Sequence, residues 1–148
     1  MNDSWTKWII ASIHKHLSLL EESDFKYQLD GKDSVNENDK TFEVRVDGPV
    51  FTQISHSDFK VDIRVNVLIQ IPVTTNVYTI NVLTGKIAEG FTAITVNKYG
   101  LNAEDDDSYL ACLRPVGEIK IRDFGQIEPT IPLRQATVDG SFSCVLSS

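Results

Sequence analysis

Cysteine is scarce in this chain: Cys112 and Cys144 are the only two in 148 residues. Their spacing fits neither a zinc ligand set nor a disulfide framework. Two free thiols in a cytosolic setting are the expectation, because unpaired cysteine mostly serves as a small buried hydrophobe. The Asn-x-Ser sequon at Asn2 is then without consequence. No apolar run approaches the roughly 20 residues of a helical membrane span, so no membrane partner is expected. Met1-Asn2-Asp3-Ser4 lacks the basic start and apolar core of a secretory leader, and none is expected. Positive charge is also short, with 14 Lys and Arg against 21 Asp and Glu and a net charge of −7. A general nucleic-acid binder needs a basic footprint to displace counterions, so that class is excluded. A protein that surrounds DNA without gripping it is not, since an acidic lining lets a polyanion pass. Internal repeats and low-complexity segments are absent as well.

What is present is a globular composition, 41% hydrophobic and 24% charged, large enough for one domain over residues 1–148 with its own core. The clearest pattern runs from Phe59 to Ile71. Every odd position is apolar and most even ones are charged or amide, closed by Pro72. Side chains on a strand alternate faces, so this segment makes one core-facing wall and one wetted or partner-facing wall. It is longer than the usual strand of about 5–6 residues. Phe42, Val44 and Val46 alternate with Glu43 and Arg45 and predict a second strand, ended by Asp47-Gly48-Pro49, antiparallel to the first.

Ahead of these, Trp5, Trp8, Ile9, Ile13, Leu17 and Leu20 recur at three and four and predict a helix from Ser4 to Glu22. Ser4 is its expected cap. Residues 28–40 are polar and turn-rich and read as a loop. Over 75–90, helical spacing (Val77, Ile80, Leu83, Ile87, Phe91) competes with strand alternation (Tyr78, Ile80, Val82). The length, the Thr75-Asn76 start and Gly90 decide for a helix. Thr92–Tyr99 reads as a strand, and Asn102–Asp107 as an acidic loop. From Tyr109 onward two or three further strands are expected, with Pro115, Pro129 and Pro132 holding the pieces between them irregular or at an edge. The predicted fold class is α+β: an N-terminal helix and a second helix packed on a mainly antiparallel sheet with a long central strand.

No local motif carries catalysis. Ser55-His56-Ser57-Asp58 holds the residue types of a hydrolase triad, but triads assemble from separated segments, and immediate neighbours cannot form that relay. His14 and His16 lie two apart on a helix and do not converge on a metal as an i, i+4 pair would. They are expected at the surface or an interface. Thr84-Gly85-Lys86 matches the end of a phosphate-binding loop, yet Ile80 stands where its first Gly belongs and Ile87 where Ser or Thr should hold magnesium. Glu104, Asp105, Asp106 and Asp107 are consecutive carboxylates without calcium-loop spacing. Cys112 has no local base to activate it. No catalytic, cofactor or metal residue is therefore assigned, and the aromatic set Trp5, Trp8, Phe42, Phe51, Phe59 and Phe91 is read as core. A long strand with a polar outer face and Pro-rich ends leaves open sheet edges, which ring-forming proteins cover with the next subunit.

Several stretches together resemble a family of tailed-bacteriophage neck and tail-completion proteins. They are the Trp5-x-x-Trp8-Ile9 helix, the strands Phe42–Pro49 and Val61–Ile71, Asn76-Val77-Tyr78 opening a helix, Ile94-Thr95-Val96, and Phe124-Gly125-Gln126 with Gln135-Ala136-Thr137-Val138. The order helix, two strands, helix, further strands is similar to the tail terminator type over most of the chain. The resemblance is one of layout, and no individual functional residue carries over. It implies a non-enzymatic virion structural protein without a cofactor, assembled in the infected bacterial cytoplasm. Its expected partners are further copies of itself in a ring (a hexamer, or a dodecamer as in some connectors), neighbouring neck and tail proteins, and DNA passing through the channel unread. The strand-rich segment 109–148 departs from the simple terminator pattern and leaves a connector, stopper or tail tube protein open.

The expected subunit interface is the outer face of the long strand, Asp62, Arg64, Asn66 and Gln70, with the loop 28–40. Glu104, Asp105, Asp106 and Asp107 form the candidate channel-facing acidic loop. Two other readings stand beside this one. A small-molecule or peptide-binding domain would hold its ligand in a hollow near Trp5 and Trp8. A hydrolase would act through His56.

Overall fold

The computed structural model describes residues 1–20, 25–29, 40–74, 77–98, 108–128 and 130–147, without side-chain detail at 25–29, 77, 127, 128 and 131. Among the described residues, two helices, α1 (Trp5–Ser18) and α2 (Val77–Glu89), accompany six strands. These are β1 (Phe25–Leu29), β2 (Lys40–Gln53), β3 (Asp58–Pro72), β4 (Ile94–Lys98), β5 (Ser108–Glu128) and β6 (Ile131–Ser147). The sheet order is β1-β2-β3-β6-β5-β4. All neighbours from β2 through β4 pair antiparallel, and β1 joins β2 parallel. This is the α+β class that the periodicities predict, with β3 near the middle of the sheet.

Strand β3 shows the alternation literally: Val61, Ile63, Val65, Val67, Ile69 and Ile71 are buried, and the even positions between them are exposed or half-exposed. Its buried face is matched by Phe42 and Val44 on β2 and by Ala136, Val138, Phe142, Cys144 and Leu146 on β6. Helix α1 covers this face with Trp5, Ile9, Ile13 and Leu17. It packs on β4 and also on β2, strands near opposite ends of the sheet order. The sheet therefore curls until one helix bridges both sides of the opening. Ser12 fixes the bridge, its Oγ accepting a hydrogen bond from Asn97 N of β4 at 3.1 Å. Helix α2 sits over β6, β3 and β5 and adds Ile80, Leu83 and Ile87 to the core. His16 ties the two helices, its Nε2–H donating to the Gly90 carbonyl at 2.8 Å. Neither His14 nor His16 is a plain surface residue; both are half-buried.

Several local expectations need correction. Ser4 precedes α1 but has helical backbone angles and makes no side-chain cap bond. Asn2 takes that role, its Oδ1 accepting from Ser4 N at 2.8 Å. Helix α1 ends at Ser18 rather than Glu22, which lies outside the described residues. Residues 28–29, assigned to a loop, belong to β1, and Lys40 begins β2; positions 30–39 lie outside the described residues. The β1 signal is the short alternation Phe25, Tyr27, Leu29. Asp47-Gly48-Pro49 does not end β2: the register slips between Asp47 and Val50 and the strand resumes to Gln53. Gly48 makes this β-bulge feasible with φ +107, a conformation that L side chains rarely adopt. Finally, the segment from 108 forms two strands of 21 and 17 residues. Pro115 stands within β5, just past Leu113, the last residue paired with β4. Among the described residues the strand is an edge there, where a missing N–H is tolerated.

Candidate functional site

Cross-strand pairing builds the outer, polar face of the sheet. On β3, Arg64 lies between Asp47 of β2 and Ser141 of β6, and Asn66 lies between Arg45 and Asp139. The next strand adds Lys120 opposite Asp139 and Arg122 opposite Thr137. Directly opposed residues share a face, so side chains from four strands meet. Arg64 forks onto Asp139: Nε donates to Oδ1 at 3.0 Å and a terminal guanidinium nitrogen donates to Oδ2. The Arg64 side chain is 62% exposed and that of Asp139 15%, so the carboxylate is the anchored partner and the guanidinium lies over it. The bond to Arg64 holds the Asp139 carboxyl below its usual range, and the nearby charges of Arg64, Lys120 and Arg122 assist.

The sequence-predicted interface residues divide accordingly. Asp62, Arg64 and Asn66 belong to this cluster. Asp62 lies 3.7 Å from Lys60 and lines a hollow of about 260 Å³ with Asp47, Val50 and Arg64. Gln70 stands six residues from Arg64, roughly 20 Å along the strand at about 3.4 Å per residue, between Thr41 and Gln135. It does not join them. Glu104, Asp105, Asp106 and Asp107 lie outside the described residues.

A second hollow, of about 220 Å³, is lined by Arg64, Asn66, Lys120, Arg122, Phe124, Thr137 and Asp139. On a chain of net charge −7 it gathers three cations and an exposed aromatic ring around one carboxylate. Sequence reasoning missed Lys120, Arg122, Phe124 and Asp139, which lie more than fifty residues from Arg64. The available signal was the polar alternation Lys120, Arg122 along β5.

The β5 segment after Leu113 is unlike the rest of the sheet. Every residue from Arg114 to Phe124 is exposed, including Val116, Ile119, Ile121 and Phe124 at 41–54%. Among the described residues only β6 pairs with it. Register slips between Val116 and Lys120 and between Asp123 and Gly125 add bulges, as edge strands commonly do.

The remaining candidates take structural places. Ser55 Oγ donates to Asp58 Oδ2 at 2.8 Å, Asp58 N donates to Ser55 Oγ at 3.1 Å, and Ser147 Oγ donates to Asp58 Oδ1 at 2.5 Å. The Ser55 bonds close the β2–β3 hairpin, the Ser147 bond ties the end of β6 to the start of β3, and together they lower the Asp58 carboxyl, Ser147 contributing most. Ser55 thus serves the aspartate rather than His56. Cys112 and Cys144 are both free. Burial, then the neighbouring Cys112 and Asp62, push the Cys144 thiol up to about 11. Near Trp5 and Trp8 there is a hollow of about 320 Å³, also lined by Met1, Asn2, Lys98, Leu110 and Ser147. Among the described residues no three His, Cys, Asp or Glu side chains gather where a metal could be held. None of the described helices is long and apolar enough to cross a membrane.

No family model and no curated protein matches the chain. Among solved structures 18 chains match. One, designated by a serial label alone, has a TM-score of 0.51 at 14% identity, over 97% of this chain and 95% of its own length. A likeness at that identity extends to the fold, which the two chains share from end to end.

Proposed function

We propose that the protein is a non-enzymatic structural subunit of the tailed-bacteriophage neck, of the tail terminator type, acting as a homo-oligomeric ring that joins the head to the tail around a DNA channel. The observation that carries this reading is the open six-stranded sheet, whose β5 strand runs well past its outer neighbour with apolar side chains exposed. Monomers shield such edges, and closed rings cover them with the next subunit. The order of elements, helix, three strands, helix, three strands, has one strand more before α2 than the layout of the resemblance and otherwise follows it. Acting through subunit contacts, such a protein needs no catalytic constellation. DNA would pass the ring without sequence recognition. The virion neck is its proposed location, and the host cytoplasm its place of assembly.

Native mass spectrometry and negative-stain imaging of the full chain test this reading. Rings, a hexamer by preference, are expected at micromolar concentration or once a neighbouring virion protein is added. A monodisperse monomer under all those conditions defeats it. The hollow at Trp5 and Trp8 keeps the ligand-binding alternative specific. Clear thermal-shift hits from a small-molecule or peptide library, with no oligomer, would favour it.

A further inference from the structure

Along its exposed half β5 reads Val116-Gly117-Glu118-Ile119-Lys120-Ile121-Arg122-Asp123-Phe124. The residue types mirror one another about Lys120. An isoleucine stands one place to either side, the opposite charges of Glu118 and Arg122 two places away, and the apolar Val116 and Phe124 four. The faces mirror as well. Ile121 is opposite Val138 and Ile119 lies beside Gly140, so both belong to the core side of the sheet. Lys120 and Val116 are opposite Asp139 and Ser141, and Arg122 and Phe124 line the outer hollow with Lys120. Glu118, two places from Lys120, shares that outer side by alternation. The whole stretch is exposed, and among the described residues only β6 pairs with it.

We infer that this stretch of β5 pairs antiparallel with the same stretch of a second copy, about a two-fold axis at Lys120. Glu118 of each copy then faces Arg122 of the other, Ile119 faces Ile121, and Val116 faces Phe124. Opposite charges and apolar side chains placed directly across from one another favour strand pairing, and strand addition pairs backbone groups along both edges. A slip of two residues sets Lys120 against Arg122 one way and Val116 against Arg122 the other. A slip of one sets core-side residues against outer ones. The lysines meet at the axis, where Asp139, opposite each of them on β6, moderates their repulsion. Such a contact is isologous and closes on itself. It makes a pair rather than a ring, and it does not depend on the ring reading. In a ring of one polarity the same edge meets a different surface, so the pair is the free protein's shield for an edge open to aggregation, given up on assembly.

Cross-linking and charge exchange in the full chain test this. At the axis the two copies of position 120 face one another with Cα atoms about 4.5–5.5 Å apart, within the disulfide range of about 4.4–6.8 Å. The two copies of position 122 stand about 14 Å apart, at about 3.4 Å per residue along the strands. In a Cys112→Ser background, Lys120→Cys should therefore give a covalent dimer under mild oxidation, and Arg122→Cys at least about 10-fold less of it. Glu118→Arg and Arg122→Glu each turn both opposite-charge pairs into like-charge ones. Each should pair at least about 10-fold more weakly than the wild type by light scattering and native mass spectrometry. Mixed one to one they should form a mixed pair, and Glu118→Arg/Arg122→Glu in one chain should restore the homodimer. Circular dichroism should stay unchanged, because all three positions are exposed. Equal cross-linking at 120 and 122, or a mixture that fails to pair, would overturn the two-fold register. A wild type that stays monomeric up to about 1 mM, with no cross-link from Lys120→Cys, would overturn the pair. Rings that form from a protein unable to cross-link at 120 would leave the ring reading standing without this inference. Pairs that no neighbouring virion protein converts into rings would leave this inference standing without the ring.

Discussion

Gly140→Ala is expected to destabilise the fold through one side chain. Gly140 lies on β6 opposite Val65 of β3, on the buried face of the sheet. A Cβ placed there would stand 2.6 Å from Phe91 Cδ2 and 2.9 Å from Cε2. Carbon atoms sit comfortably at about 3.5–4.0 Å, so the ring must retreat by roughly 1 Å. It has little room, because Phe91 is buried against Phe142, with centroids 5.6 Å apart. Its backbone is also held where α2 ends, Phe91 N donating to Ala88 O at 3.0 Å. Overpacking of this kind costs about 1–3 kcal/mol. The smaller backbone entropy of alanine in the unfolded chain returns about 0.4–1 kcal/mol. A net loss of about 1–2 kcal/mol corresponds to a Tm lower by roughly 3–8 °C for a chain of this size. Thermal and urea melts of the wild type, Gly140→Ala, Phe91→Leu and the double variant measure it. Leucine leaves space for the new methyl, so the Gly140→Ala penalty should shrink by at least about 0.5 kcal/mol in the Phe91→Leu background. An unchanged or raised Tm, or the same penalty in both backgrounds, would refute the reasoning.

Three further outcomes are expected. Arg64→Glu removes the fork to Asp139; because the arginine is exposed, the monomer should lose no more than about 1 kcal/mol in a urea titration, while oligomer formation by native mass spectrometry falls clearly. Asp58 and Asp139 both have lowered carboxyl pKa values. Their contribution to stability is complete above the unfolded value of about 3.9 and lost as pH falls through the lower folded values. The urea midpoint should therefore drop below about pH 4, and Asp58→Asn with Asp139→Asn should flatten that decline; a pH-independent midpoint between 2 and 5 would contradict it. Ellman's reagent at neutral pH should react with Cys112 well before Cys144, whose buried thiol is pushed up to about 11; equal rates in the native protein would contradict the burial.

How much of this was legible depended on the range of the forces involved. The β3 alternation and the α1 stripe were readable because burial imposes a period of two or 3.6 on adjacent residues. The helix over Val77–Glu89 was readable for the same reason, with Gly90 marking its end, where its N–H bonds to Lys86 O and Ile87 O. β1 was missed because five alternating residues inside a polar stretch carry too little periodic signal. The extent of β5 was missed because Pro115 looks like a break. It is in fact an edge position of one strand, and only the pairing with β6 distinguishes the two cases.

By itself, then, the sequence determined the local periodicities, the α+β class, the acidic balance and the polar outer face that contains Asp62, Arg64 and Asn66. These follow from side-chain polarity and near-neighbour geometry. Tertiary structure decided what lies beside what. It brought Asp139, Lys120 and Arg122 to Arg64, and it set Phe91 on Gly140. It also stopped the β4 pairing at Leu113, beyond which, among the described residues, β5 has no outer neighbour. Each of those contacts joins residues remote in sequence, and register between distant strands is fixed by the packing of the whole buried face rather than by any segment alone.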